Sequence, residues 1–150
     1  MDAEVYPDER VAGFVTQNFI PVKIHVKEQP KTFERFSVQW TPTLLVVDPA
    51  GSERHRFEGY LPVDEFLPQL EMGLAQAAFG RSQFADAERR FQDLAARYPH
   101  SDVAPEALYW SGVSQYKATG NGAALGETSR QLTKQYPNSV WTKKASVWAG

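Results

Sequence analysis

The 150-residue chain contains no cysteine. Thiolate nucleophiles, dithiol exchange and cysteine-ligated metals all require sulfur that is absent, so the chain as it stands performs no thiol chemistry. The same absence removes disulfides as a clue to compartment, because a cysteine-free chain is tolerated on either side of a membrane. Charge of one sign is also lacking. Sixteen basic residues against eighteen acidic ones leave a net charge of −2, which argues against nucleic acid or a membrane surface as partner, since both want a basic face. No apolar run approaches the ~20 residues of a membrane span. The acidic start Met1-Asp2-Ala3-Glu4-Val5 has neither the basic lead nor the apolar core of a signal peptide, which makes the cytoplasm the expected location.

Histidine is scarce as well. His25, His55 and His100 stand far apart, none with a histidine or carboxylate at ligand spacing, so no metal and no other cofactor is expected. His25 reads as an edge residue, and His55, between Arg54 and Arg56, as facing solvent. Asp64-Glu65 is not an acid pair, because adjacent helical residues do not face each other; a charge role at a helix N-terminus fits better. Gly120-Asn121-Gly122 lacks the later Gly-Lys-Ser/Thr of a phosphate loop and reads as a turn between helices. Arg89-Arg90 falls within a helical pattern, on a solvated face. No Ser/His/Asp arrangement has supporting spacing.

What is present divides the chain in two. In the first part, Asp8 is placed to cap a helix carrying Val11, Phe14 and Val15 and ending at Asn18. The alternation from Ile20 to Val26 predicts a half-buried strand with Pro21 near its start. Pro30 opens a short helix to Phe36. The continuous run Thr43-Leu44-Leu45-Val46-Val47 predicts a strand buried on both faces within a partly parallel sheet. Asp48-Pro49-Ala50-Gly51 supplies turn chemistry, and 52–57 reads as an outer strand returning from it.

From Pro62 the period changes to that of helices. Phe66, Leu70 and Leu74 mark one running to about Phe79, with a break, a kink or a later start expected at Pro68. Further helices are predicted around Phe84–Leu94, Leu108–Tyr116, Leu125–Tyr136 and Lys143–Trp148, the one at Leu108–Tyr116 entered through Pro105. Arg97-Tyr98-Pro99-His100-Ser101 recurs 38 residues later as Gln135-Tyr136-Pro137-Asn138-Ser139, and the register continues through Ala107/Ala145 and Trp110/Trp148. Such spaced identity is what stacked helix–turn–helix units produce. Trp110, Trp141 and Trp148, at helical spacing, read as packing residues rather than as a ligand box.

The segment Val38 to Gly51, with its Trp40-Thr41-Pro42-Thr43 start, followed by Gly59, resembles the second half of the thioredoxin fold. Asn18-Phe19-Ile20-Pro21-Val22-Lys23 resembles the strand that precedes it there, and Met1 to Asp8 resembles the segment directly following the family's Cys-x-x-Cys. The second part resembles tetratricopeptide-type repeats with Tyr-Pro-x-Ser at helix ends. The resemblance implies an α/β plus all-α protein: a truncated thioredoxin-like domain at 1–68 followed by helical hairpin repeats at 69–150. It implies that Pro42 is the fold's cis-proline, and that Thr41, with Trp40 and Pro42, meets an extended peptide by strand-like pairing.

The departure is the missing Cys-x-x-Cys together with the first strand and most of the first helix, a strand that in the family lies between 21–26 and 43–48. Two explanations compete: a non-catalytic module that binds a protein or peptide, or the C-terminal piece of a thiol–disulfide oxidoreductase whose Cys-x-x-Cys lies upstream of Met1. A third reading is a dimerising scaffold. Either strands 21–26 and 43–48 pair directly, or a second copy of the chain completes the sheet as a homodimer.

Overall fold

The computed structural model describes residues 1–150. Its first helix, α1 (Glu9–Asn18), starts where Asp8 accepts a hydrogen bond from the Arg10 N–H, and it buries Val11. Before it, Met1 to Tyr6 forms turns closed on the Met1 carbonyl, with Val5 fully buried. Beyond the short α2 (Pro30–Arg35) come two strands, β1 (Thr43–Val47) and β2 (Glu53–Glu58), paired antiparallel around the Asp48–Gly51 turn. Leu44 lies opposite Phe57 and Val46 opposite His55. Their common face packs on α3 (Val63–Gly80).

The expected strand at 20–26 does not form. Residues 20–25 adopt no regular structure and do not pair with β1. A strand needs a neighbour to satisfy its backbone groups, and this segment pairs with neither free edge of the two-stranded sheet. The expectation of β1 as a doubly buried strand in a partly parallel sheet is corrected for the same reason: Val46 is buried, Val47 is exposed, and the only pairing is antiparallel.

The helical part contains α3, α4 (Phe84–Arg97), α5 (Ala104–Thr119), α6 (Ala123–Gln135) and α7 (Val140–Ala145), followed by a 3-10 turn at Ser146–Trp148. The last helix therefore begins earlier than the sequence pattern suggests, at the cap provided by Ser139. Helix α3 neither stops nor starts late at Pro68, which sits fully buried as its sixth residue. So close to the N-terminus a proline forfeits only one intrahelical hydrogen bond, and the packing on both flanks of α3 outweighs that loss.

Three apolar clusters carry the fold. Phe66, Leu67 and Leu70 of α3 join Val5, Val11 and Phe57. Met72, Ala75 and Ala78 of the same helix join Ala87, Phe91, Leu94, Val103 and Ala107. Leu108, Leu132 and Ala145 form the third. Helix α3 thus serves two cores, and Tyr98 packs against both.

Small residues set the closest approaches. A Cβ at Gly73 would collide with Val46 of β1, and one at Gly112 with Thr128 of α6. Gly120, at φ 71°, ends α5 in the left-handed conformation that glycine adopts without strain. The Gly120-Asn121-Gly122 segment is accordingly the turn of a helical hairpin.

Candidate functional site

Trp40, Thr41 and Pro42 form the turn that leads into β1. Trp40 is 68% exposed, Thr41 is exposed, and Pro42 is half-buried. The Thr43 hydroxyl donates to the Trp40 carbonyl at 2.6 Å. The Gly59 N–H donates to the Pro42 carbonyl at 2.8 Å, which ties the turn to the far end of β2. The Thr41–Pro42 peptide bond is cis.

The pairing fixes which way β1 points its backbone. Pro42 and Asp48 bond towards β2 and its turn, Pro42 through its carbonyl and Asp48 through its N–H to the Ser52 carbonyl. Leu44 and Val46 follow by alternation. The N–H and C=O groups of Thr43, Leu45 and Val47 therefore point away from β2 along an edge that no other strand occupies. Such an edge accepts a further strand.

The hairpin behind the edge is held by charge. Asp48 Oδ1 accepts from the Ala50 and Ser52 N–H groups at 3.0 and 2.9 Å, and Oδ2 lies 2.6 Å from Arg54 Nη2. The Ser52 N–H and then Arg54 hold its carboxyl below the usual value. Arg56 pairs with Glu53 and Glu58 and also donates to the Phe36 carbonyl, fastening the segment after α2 to β2. His55, expected to face solvent, does not. It lies largely buried on the core side, with Nε2 2.6 Å from Gln69 Oε1 of α3, and burial pushes its pKa down. Its alternation with Phe57 on the same face of β2 puts it there. His25 and His100 are exposed and remote, and no group of three metal-capable side chains exists.

On the helical side, Tyr109 stacks on Trp148 with centroids 4.6 Å apart and touches Trp141 at 5.1 Å, while Trp110 meets Phe79 at 5.2 Å. The three tryptophans, on α5, α7 and the final 3-10 turn, are packing residues, as their spacing predicts. The Trp110 Nε1–H is buried without a hydrogen-bond partner. One turn earlier, burial raises the Glu106 carboxyl above its usual value, opposed first by the neighbouring Trp110 indole, whose N–H lies near it without reaching good hydrogen-bond geometry, and then by the Lys144 ammonium. That ammonium sits 4.0 Å from the centroid of Trp141. Glu71, paired with Arg97, is likewise raised by burial. Neither buried carboxylate was singled out in the sequence. At helical spacing each reads as a surface charge, and only packing shows otherwise.

The arrangement is centred on the Trp40–Pro42 turn and the edge of β1 that faces away from β2. What it offers chemically is a set of unpaired backbone groups beside an exposed aromatic ring, mounted on a helical scaffold. That combination defines a two-part protein, with an incomplete α/β layer and stacked helical hairpins. Residues 1–73 match the thioredoxin-like domain family, and residues 69–101 and 106–139 each match the tetratricopeptide repeat family. The chain is a thioredoxin-like domain fused to tetratricopeptide-type repeats. A search of curated proteins finds no match to it. No helix is long and apolar enough to cross a membrane.

Proposed function

We propose that the chain is a non-catalytic protein-interaction module. Its thioredoxin-like part pairs with an extended polypeptide along β1, beginning at Trp40, Thr41 and Pro42. The observation that carries this reading is the row of outward backbone groups at Thr43, Leu45 and Val47, which starts beside the exposed Trp40 ring. Backbone pairing supplies affinity in such a complex, and an aromatic anchor at the entrance supplies selectivity. In this reading residues 1–68 and 69–150 act as two units coupled through α3. The repeats support the first unit and offer a second protein-binding face. A second copy of the chain is among the partners the edge would take.

The test is a titration of the isotope-labelled chain with a permanently unfolded, carboxymethylated protein, followed by amide NMR. Shifts at Thr43, Leu45 and Val47 and at the Trp40 indole are expected. Shifts confined to other surfaces, or none, would refute the reading.

A second reading is favoured by the two-stranded sheet together with the thioredoxin-like match: the chain is the C-terminal piece of a thiol–disulfide oxidoreductase whose Cys-x-x-Cys lies upstream of Met1. In-frame coding for Cys-x-x-Cys just before Met1 in the DNA would decide for it, and an in-frame stop there would decide against it.

A further inference from the structure

The turn between α5 and α6 is Gly120-Asn121-Gly122, with all three residues exposed. Its chemistry is independent of the β1 edge. An asparagine side chain is an electrophile within reach of the main-chain nitrogen that follows it. Attack by that nitrogen on Cγ closes a five-membered ring, provided the nitrogen is free and the two atoms can be brought together.

The chain has three asparagines, Asn18, Asn121 and Asn138, and their surroundings differ on these points. After Asn18, the Phe19 N–H donates to the Val15 carbonyl at 2.9 Å. After Asn138, the Ser139 N–H donates to the Tyr136 carbonyl at 3.0 Å. Each of these nitrogens must give up a hydrogen bond before it can attack. The Gly122 N–H donates to nothing in the chain. The amides to be expelled differ as well. Asn18 Nδ2 donates to the Phe14 carbonyl at 2.8 Å. The Asn121 side chain bonds only through Oδ1, which accepts from the Ala123 N–H at 3.0 Å.

Two further features favour the ring. Gly122 carries no Cβ to crowd the approach, and the space around it is open. The Ala123 N–H already donates to the oxygen on which negative charge builds as Cγ is attacked.

We propose that Asn121 is a site of spontaneous deamidation. The Gly122 nitrogen bonds to Asn121 Cγ, the Cγ–Nδ2 bond breaks, and the amide leaves as ammonia with the proton from Gly122. Water then opens the succinimide. Cleavage at Cγ gives aspartate, and cleavage at the main-chain carbonyl gives isoaspartate, with the chain now running through Cγ. One water is consumed, one ammonia is released, and nothing is oxidised or reduced.

The two products act differently on the second repeat. Aspartate keeps an oxygen for the Ala123 N–H and adds a negative charge at a helix start, where it is stabilising. Isoaspartate lengthens the main chain by one methylene between Thr119 and Ala123, the two residues that Asn121 bonds, just before the buried Ala124. That displaces the entry of α6, whose Thr128 lies against Gly112 of α5. The turn is a slow, one-way clock on this repeat.

Peptide mapping by mass spectrometry of the full chain, kept folded at mildly alkaline pH, tests the proposal. Asn121 should convert to aspartate and isoaspartate about five-fold or more faster than Asn18 or Asn138, the factor that one hydrogen bond on the attacking nitrogen is worth. Gly122→Ala, at φ −63° with open space around it, should fold as the native chain does and convert several-fold more slowly. Asn121→Asp should melt at or above the native midpoint. The aged chain, its isoaspartate counted with isoaspartyl methyltransferase, should melt below Asn121→Asp. Asn121 converting no faster than Asn138, or Gly122→Ala converting as fast as the native chain, overturns the proposal. An isoaspartate-rich chain with the midpoint of Asn121→Asp overturns the effect on the repeat.

Discussion

The Tyr136 hydroxyl donates to the Pro99 carbonyl at 2.8 Å, so the tyrosine of the second Tyr-Pro-x-Ser motif bonds to the proline of the first. The motif repeats its internal geometry as well. In each copy the serine N–H donates to the tyrosine carbonyl, at 3.1 Å for Ser101 and 3.0 Å for Ser139, and the serine Oγ accepts from the N–H two residues on, of Val103 or Trp141. The first copy has no earlier copy to meet. Its Ser101 hydroxyl donates instead to Glu65 of α3 at 2.7 Å, and Tyr98 packs across two cores. One motif thus joins repeat to repeat at its second occurrence and repeat to thioredoxin-like part at its first.

Removing that hydroxyl should loosen the stack without emptying a core. Tyr136→Phe is expected to lower unfolding free energy by about 1 kcal/mol, read from urea denaturation followed by tryptophan fluorescence. An unchanged midpoint would mean that the bond to Pro99 adds nothing to stability.

Glycine substitutions should separate close approach from free space. Gly73→Ala drives a methyl into Val46 across the α3–β1 contact and should destabilise by about 1–3 kcal/mol. Gly13→Ala in α1 meets nothing within 4 Å and should be neutral or gain about 0.5–1 kcal/mol from reduced backbone freedom. Thermal melts of the two variants side by side check both signs.

Two carboxylates should respond to pH in opposite directions. Burial raises the native pKa of Glu106, so its contribution to stability is complete below the unfolded value of about 4.3 and is lost as pH rises through the native one. Glu106→Gln should therefore be the more stable form at pH 7, with the advantage fading at acid pH. The Asp48 pKa is lowered, so its contribution exists above the unfolded value and disappears as pH falls. Asp48→Asn should be less stable at pH 7 and approach the native chain in acid. Urea midpoints at a series of pH values give both curves, and parallel curves would contradict the assignment.

Trp40→Ala should abolish binding of the unfolded carboxymethylated protein along β1 while leaving the melting midpoint where it was, because the ring is largely in solvent. A large loss of stability would reassign Trp40 to the fold.

Much of this architecture was legible in the residues. Asp8 announced α1, Pro105 and Gly120 bounded α5, and the 38-residue offset announced the stacked hairpins, since capping and helical period are local properties. The turn at Trp40, Thr41 and Pro42 was legible through its resemblance to the thioredoxin fold, although what it binds is not written there. The strand at 20–26 was misread because alternation reports which face a residue would present, not whether a neighbouring strand exists. His55 was misread because its arginine neighbours occupy the opposite face of β2. Glu71 and Glu106 escaped notice because burial on a helix depends on which helix comes to lie against it.

Helix α3 has a consequence for anyone who would dissect the molecule. Phe66, Leu67 and Leu70 face one way into the turns and strands, and Met72, Ala75 and Ala78 face the other way into the repeats. A cut between Pro68 and Gln69 would leave Met72, Ala75 and Ala78 with the repeats, but would take Leu70 and the rest of the rod away from the oily flank of the first part. The first part should not survive expression without that rod, and a fusion that needs only this part must carry the whole of α3.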